Sequence, residues 1–163
     1  MVPIPKENVC NRALTVDDFR GISISPVISK LFEHAIFDRF GQYFLTSDNQ
    51  FGFKKNFSCR HVIVHNVRNV IDHYIEHGST ANVCSLDLSK AFDRMNHYAL
   101  LIKLMDRRLP NEILNILELW FNTSVTCVKW NGSVAHIFFR LLAGVRQGGI
   151  LSPYLFAVFI DSV

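Results

Sequence analysis

The stretch Val83-Cys-Ser-Leu-Asp-Leu-Ser-Lys-Ala-Phe-Asp-Arg-Met-Asn96 constrains this chain more than any other. Its first residues are apolar or small and begin with a β-branched valine, the pattern of a short buried strand. Asp87 falls where that strand should end, and Asp93 follows near Lys90 and Arg94. An acid at the mouth of a buried strand is poorly solvated unless it holds a cation. Hard Mg²⁺ is one such cation, since it takes carboxylate oxygen and keeps sites for phosphate. The structural alternative is an Asp that caps the following turn or helix.

A second stretch, Gly144-Val-Arg-Gln-Gly-Gly-Ile-Leu-Ser-Pro-Tyr-Leu-Phe156, lies downstream. Gly148 and Gly149 let backbone approach a ligand closely. Ser152 and Pro153 read as N-cap and first position of a helix. Glycines ahead of a helix N-terminus suit an anionic partner.

Together the two stretches resemble the reverse transcriptase of non-long-terminal-repeat, LINE-like retrotransposons. Pro3-Ile-Pro-Lys6, Phe19-Arg-Gly-Ile-Ser23 with Ser29-Lys-Leu-Phe-Glu33, and Asp48-Asn-Gln-Phe-Gly-Phe53 resemble that family's fingers, in the family's order. The resemblance covers nearly the whole chain. It implies class α+β: the fingers and part of the palm of a right-hand polymerase. The palm would be a small antiparallel sheet backed by helices, of the split βαβ kind. Residues 1–163 would be one reverse transcriptase domain fragment, with about 1–80 mainly fingers and about 81–163 mainly palm. The strand ending at Asp87 would sit centrally.

The implied activity is RNA-directed DNA synthesis: deoxynucleoside triphosphates added to a DNA primer 3′-hydroxyl along an RNA template, by two-metal phosphoryl transfer with Mg²⁺, or Mn²⁺ in its place. The resemblance makes Asp87 the first catalytic aspartate and a metal ligand, joined by the Leu88 carbonyl. Lys6 and Arg20 match the basic residues that grip the triphosphate, Arg through a two-pronged donor and Lys as a point charge. Gly21 departs from the proline usual beside that arginine. Phe92 occupies the position of the ring that collides with a 2′-hydroxyl, although a core phenylalanine is the alternative. Gln147 and Gly148 match residues lining the nucleotide and template pocket. Asp93 reads as a cap or an arginine partner, and Arg146 as a phosphate contact or a solvent-facing cation.

The family's second acidic motif, aromatic-x-Asp-Asp, does not occur in these 163 residues; the only Asp-Asp is Asp17-Asp18. The chain ends within an apolar helix pattern, as a fragment truncated before the Asp-Asp hairpin and thumb would. Such a fragment is expected to be inactive by itself. Two alternatives to the main reading are a nucleic-acid-binding remnant without catalysis and an intron-encoded or telomerase-like reverse transcriptase.

Composition narrows the rest. Hydrophobic residues make up 49%, with 14 Phe, so the chain is globular. A formal charge of +3 permits a nucleic-acid partner without requiring one. Four scattered cysteines show no metal or disulfide spacing, which suits reduced thiols and an intracellular setting. The start does not read as a signal peptide, and no apolar run is long enough to span a membrane.

Local patterns predict helices from Ser25-Pro26 to near Tyr43, from Ser58 to Glu76, from Asn96 to Arg107, from Pro110 onward and from Ser152 onward. In the first, Val27, Ile28, Leu31, Phe32, Ala35, Ile36 and Phe40 form the apolar stripe, with Glu33 largely on the other side. In the second, Ile63, Val67, Val70, Ile71 and Tyr74 do so. Its pairs His61/His65 and His73/His77 have zinc spacing but no evident third ligand. Asn131-Gly132 is a hairpin turn between two β-rich runs.

Overall fold

The computed structural model describes residues 1–6, 12–54, 57–58, 60 and 62–161. Cys10, Cys59 and His61 lie outside the described residues. The class is mixed α and β, with small antiparallel sheets. The chain divides into two compact units, one of Met1–Leu45 with Lys90–Val163, the other of Thr46–Ser89.

In the first unit, strand β1 (Val2–Pro5) pairs antiparallel with β2 (Phe19–Ile22), with Ile4 opposite Arg20. Pro3 and Pro5 lack amide donors, and the two-stranded sheet leaves room for them at its edge. Gly21 is accommodated opposite Pro3. Helix α1 (Val27–Phe40) follows and tightens into a 3₁₀ turn at Gly41–Phe44.

The centre of this unit is helical. α3 (His97–Asp106) packs against both α4 (Asn111–Thr123) and α5 (Ser152–Ile160). Met95, Leu100, Leu104 and Leu117 are fully buried among Leu109, Ile113, Leu114, Leu151, Leu155 and Val158. Truncating a leucine at such a site to Ala costs about 2–5 kcal/mol, so this cluster dominates the unit's stability. α5 is almost wholly apolar, and it packs against α3 and the Gly41–Phe44 turn. Lys103 of α3 donates to the Phe159 carbonyl, and Arg107 pairs with Asp161 at 2.7 Å. Both cations sit at the negative end of α5.

The hairpin expected at Asn131-Gly132 is present. β4 (Lys129–Trp130) pairs with β5 (Ser133–Val134). Asn131 and Gly132 both have positive φ, 46° and 80°, as a tight two-residue turn requires. Around it, β3 (Val125–Thr126) pairs with β6 (Phe139–Arg140).

The second unit contains a π-helical stretch, Val62–Arg68, continuing into α2 (Asn69–Glu76). Gly78, at φ 71°, ends the helix, with its amide on the Ile75 carbonyl and that of Ser79 on Tyr74. His77 turns its Nδ1 to the His73 carbonyl at 2.7 Å. Among the described residues no third ligand stands with this histidine pair.

Three expectations are corrected here. Val83–Asp87 does not form a strand: residues 79–88 have no regular structure, and Val83 and Leu86 are 64% and 89% exposed. A strand exists only where another strand completes its ladder, and the described strands pair among themselves. A central palm strand at Asp87 and a split βαβ sheet are therefore not what these residues form. The stripe on α1 is also different, since Val27, Ile28 and Leu31 are exposed while Glu33 and Ile36 are buried. In the second unit, Ile63, Val70 and Tyr74 are exposed, with only Val67 and Ile71 of that stripe half-buried.

Candidate nucleotide site

Two turns meet in the first unit. Lys90 takes a left-handed conformation at φ 54°, which starts a 3₁₀ turn over Ala91–Asp93. The second turn, Gly144–Leu151, is laid against it. The Gly144 amide donates to Met95 O at 2.7 Å and the Val145 amide to Phe92 O at 2.8 Å. A Cβ at Gly144 would stand 2.6 Å from the Phe92 carbonyl, and its φ of 81° also favours glycine. His97 fixes the junction from below, with its Nε2 2.6 Å from Gly144 O and its ring stacked on Phe121.

β2 closes the third side. The Ser23 amide donates to Gln147 O at 2.7 Å. Gly148 lies so close that a Cβ there would meet the Ser23 carbonyl at 2.7 Å. The three segments enclose a cleft of about 250 Å³ lined by Gly21, Ser23, Asp93, Gly144 and Gln147 among others. Gln147 Nε2 donates to Asp93 Oδ1 at 3.3 Å across it. Asp93 thus meets Gln147, whereas Asn96 caps α3 by accepting from the Ala99 amide at 3.0 Å.

Phe92 is half-buried. Its ring stacks on Phe156 of α5 with centroids 4.6 Å apart, so the core supports it from one side. Arg20 projects from β2 as an exposed side chain. Lys6 donates its ammonium to the Asp17 carbonyl at 2.7 Å, and Lys90 pairs with the Asp17 carboxylate at 2.6 Å. The Lys90 ammonium holds the Asp17 carboxyl below its ordinary value, with help from Lys6.

Asp17-Asp18 is not a spare acidic pair. Asp18 is buried and accepts from the Thr15 amide at 2.7 Å, the Thr15 hydroxyl at 2.8 Å and Arg12 at 2.5 Å. The Thr15 amide, then Arg12 and the Thr15 hydroxyl, hold its carboxyl down at about 2, against an ordinary 3.8. Because the folded value is the lower one, this stabilisation is complete above the ordinary value and is lost as pH falls towards about 2. Asp18→Asn should therefore be less stable at neutral pH and lose less stability over that acid range. Chemical denaturation at a series of pH values checks this.

Two residues have partners that their local sequence does not signal. Ser152 does not cap α5: it is the first helical residue, and Leu151 stands at the N-cap without a side-chain bond. The cap is Glu33, 3% exposed, whose Oε2 accepts from Ile150 N at 2.5 Å and Leu151 N at 3.0 Å. The anion expected at this helix start is thus a carboxylate of the same chain. No local pattern signals a bond spanning 117 residues. Arg146 is held over the Trp120 ring and donates to Ser124 Oγ at 2.6 Å, which engages it away from solvent.

Asp87 and Leu88 lie in the second unit and are exposed. Among the described residues, no group of three or more His, Cys, Asp or Glu stands close enough to hold a metal ion. Mg²⁺ takes near-octahedral oxygen coordination. One carboxylate and one carbonyl do not make that site by themselves.

Comparison with known proteins supplies the context for this arrangement. Residues 4–163 match the family described as reverse transcriptase (RNA-dependent DNA polymerase). The RNA-directed DNA polymerase from mobile element jockey of Drosophila funebris is 33% identical, over 90% of this chain and 16% of its own length. A Pol polyprotein from type-1 retrotransposable element R2 of Nasonia vitripennis is 30% identical, over 89% of this chain and 14% of its own length. One from type-2 element R2DM of Drosophila melanogaster is 27% identical, over 97% of this chain and 14% of its own length. The chain spans about one sixth of the length of the curated relatives it matches. Both the ordered motifs and these relatives point the same way, and the chain belongs to the reverse transcriptase family, on its non-long-terminal-repeat retrotransposon side.

Proposed function

We propose that this segment supplies the nucleotide-binding part of an RNA-directed DNA polymerase. In that reading residues 1–80 are mainly fingers and 81–163 mainly palm. The reaction joins a primer 3′-oxygen to the α-phosphorus of a deoxynucleoside triphosphate and releases pyrophosphate. RNA is the template and DNA the primer. The observation that carries the reading is the convergence of three distant segments on one cleft: Gly21 and Ser23 beside Arg20, Asp93 beside Phe92, and Gln147 beside Gly148.

Each residue then has a task. Arg20 and Lys6 bind triphosphate oxygens by charge-assisted hydrogen bonds. Phe92 packs under the sugar, and Gln147 and Gly148 border the base and template. Asp87 and the Leu88 carbonyl contribute two oxygens towards a divalent cation that other groups must complete. The exposure of Arg20 and its place on a short, paired strand support its part. Arg20→Ala in a full-length polymerase carrying this segment should raise the nucleotide KM about tenfold, since one charged contact to phosphate is lost. Steady-state incorporation kinetics measure this. Unchanged nucleotide kinetics with weakened template–primer binding would place Arg20 on the nucleic-acid track instead.

A further inference from the structure

The turn bearing Gln147 and Gly148 is held from both sides. On one side it is fastened to Ser23 at the end of β2, through the Gln147 carbonyl. On the other, Glu33 takes the amides of Ile150 and Leu151. A buried carboxylate is costly unless it is hydrogen-bonded, and so are unpaired amides at a helix start; here each satisfies the other. Gly149 makes the approach possible, because a Cβ there would stand 3.2 Å from Glu33 Oε2 and 2.5 Å from Ser152 Oγ. Ser23 and Glu33 belong to one run of chain, β2 into α1, which also carries Arg20.

We propose that Glu33 is a positioning residue for nucleotide binding. By clamping Ile150 and Leu151 it fixes the Gln147–Gly148 turn in register with β2, and so sets Gln147 relative to Arg20. This rests on Gln147 and Gly148 belonging to the nucleotide pocket. Glu33 touches no substrate; it acts through the turn. Without the clamp, a segment containing two adjacent glycines loses its hold at the α5 end, keeps those at Ser23 and Asp93, and samples more conformations. Nucleotide binding must then order it, which weakens binding without changing the reacting groups.

The test is a KM-against-kcat comparison in a full-length polymerase carrying this segment. Glu33→Ala should raise the nucleotide KM about tenfold, with kcat and template–primer affinity close to wild type. Glu33→Gln keeps the side chain's shape and one acceptor oxygen, so it should fold normally and show a smaller rise. Gly149→Ala should reproduce the Glu33→Ala effect, and the double variant should add little, because both remove one contact. In the 163-residue chain, Glu33→Gln should also speed amide exchange at Gln147 and Gly148 as well as at Ile150 and Leu151. Gln147→Ala is the control for the underlying reading. If it raises the nucleotide KM while neither Glu33 variant does, Glu33 is only a helix cap and the proposal falls. If Gln147→Ala leaves the KM unchanged, the nucleotide-pocket reading falls and the proposal with it. Parallel losses of kcat, nucleotide KM and template–primer affinity in Glu33→Gln would likewise overturn it, in favour of a general folding defect.

Discussion

Phe92→Ala in a full-length polymerase carrying this segment should admit ribonucleotides. Phe92 is the middle residue of the 3₁₀ turn Ala91–Asp93, with its carbonyl bound by Val145 and its ring face on Phe156. Backbone and core thus hold the side chain in one place, as a steric gate requires. A ring fixed against a sugar rejects the 2′-hydroxyl by overlap, and alanine removes the overlap. Discrimination between deoxy- and ribonucleotides should fall by more than about a hundredfold, because a steric clash excludes more strongly than a missing contact. The substitution also removes a stacked pair worth about 0.5–1.5 kcal/mol beyond its buried area, so some loss of stability is expected alongside. Competing incorporation of matched deoxy- and ribonucleotides gives the ratio directly. An unchanged ratio in a folded variant would return Phe92 to the core.

What the sequence disclosed and what it concealed divide along a physical line. Helices with their own caps and stops were legible within a few residues: His97–Asp106 behind Asn96, Asn111–Thr123 behind Pro110, and the stop at Gly78. The Asn131-Gly132 hairpin was legible for the same reason, since its turn chemistry is local. Burial on α1 was not. Periodicity identifies an apolar side, but the partner decides which side is covered, and here Glu33 and Ile36 face inward while Val27, Ile28 and Leu31 do not. Val83–Asp87 has strand-forming residues, yet pairing is non-local and no described strand takes it up. Glu33 was the largest miss at the site. A carboxylate on a helix normally reads as a solvated residue, and only the fold reveals amides waiting for it.

Of the candidate residues, Gln147 lines the cleft with Gly21 and Ser23, while Phe92 and Gly148 are the chain neighbours of lining residues Asp93 and Gln147. Lys90 was read only as a neighbour of Asp93, and its left-handed backbone and its bond to Asp17 became visible only in three dimensions.

Asp87→Ala carries the other large effect. The proposed chemistry needs anionic oxygens around the reacting phosphate, and Asp87 is the one carboxylate the motifs assign to that task. Loss of groups that merely orient such ligands costs about 10–100-fold, so removal of the carboxylate itself should cost more. Asp87 is exposed and outside any buried cluster, so alanine there should leave folding and template–primer affinity intact. The 163-residue chain by itself should be inactive for a related reason. It lacks aromatic-x-Asp-Asp, and among its described residues no group of three or more His, Cys, Asp or Glu stands together.

The role of Asp87 is decided by RNA-templated primer extension with Mg²⁺, run side by side on the 163-residue chain, on a full-length polymerase carrying it and on that polymerase with Asp87→Ala. Only the full-length enzyme should extend the primer, with template–primer affinity retained in Asp87→Ala. Extension by the bare chain, or by the Asp87→Ala enzyme at the wild-type rate, would contradict this expectation.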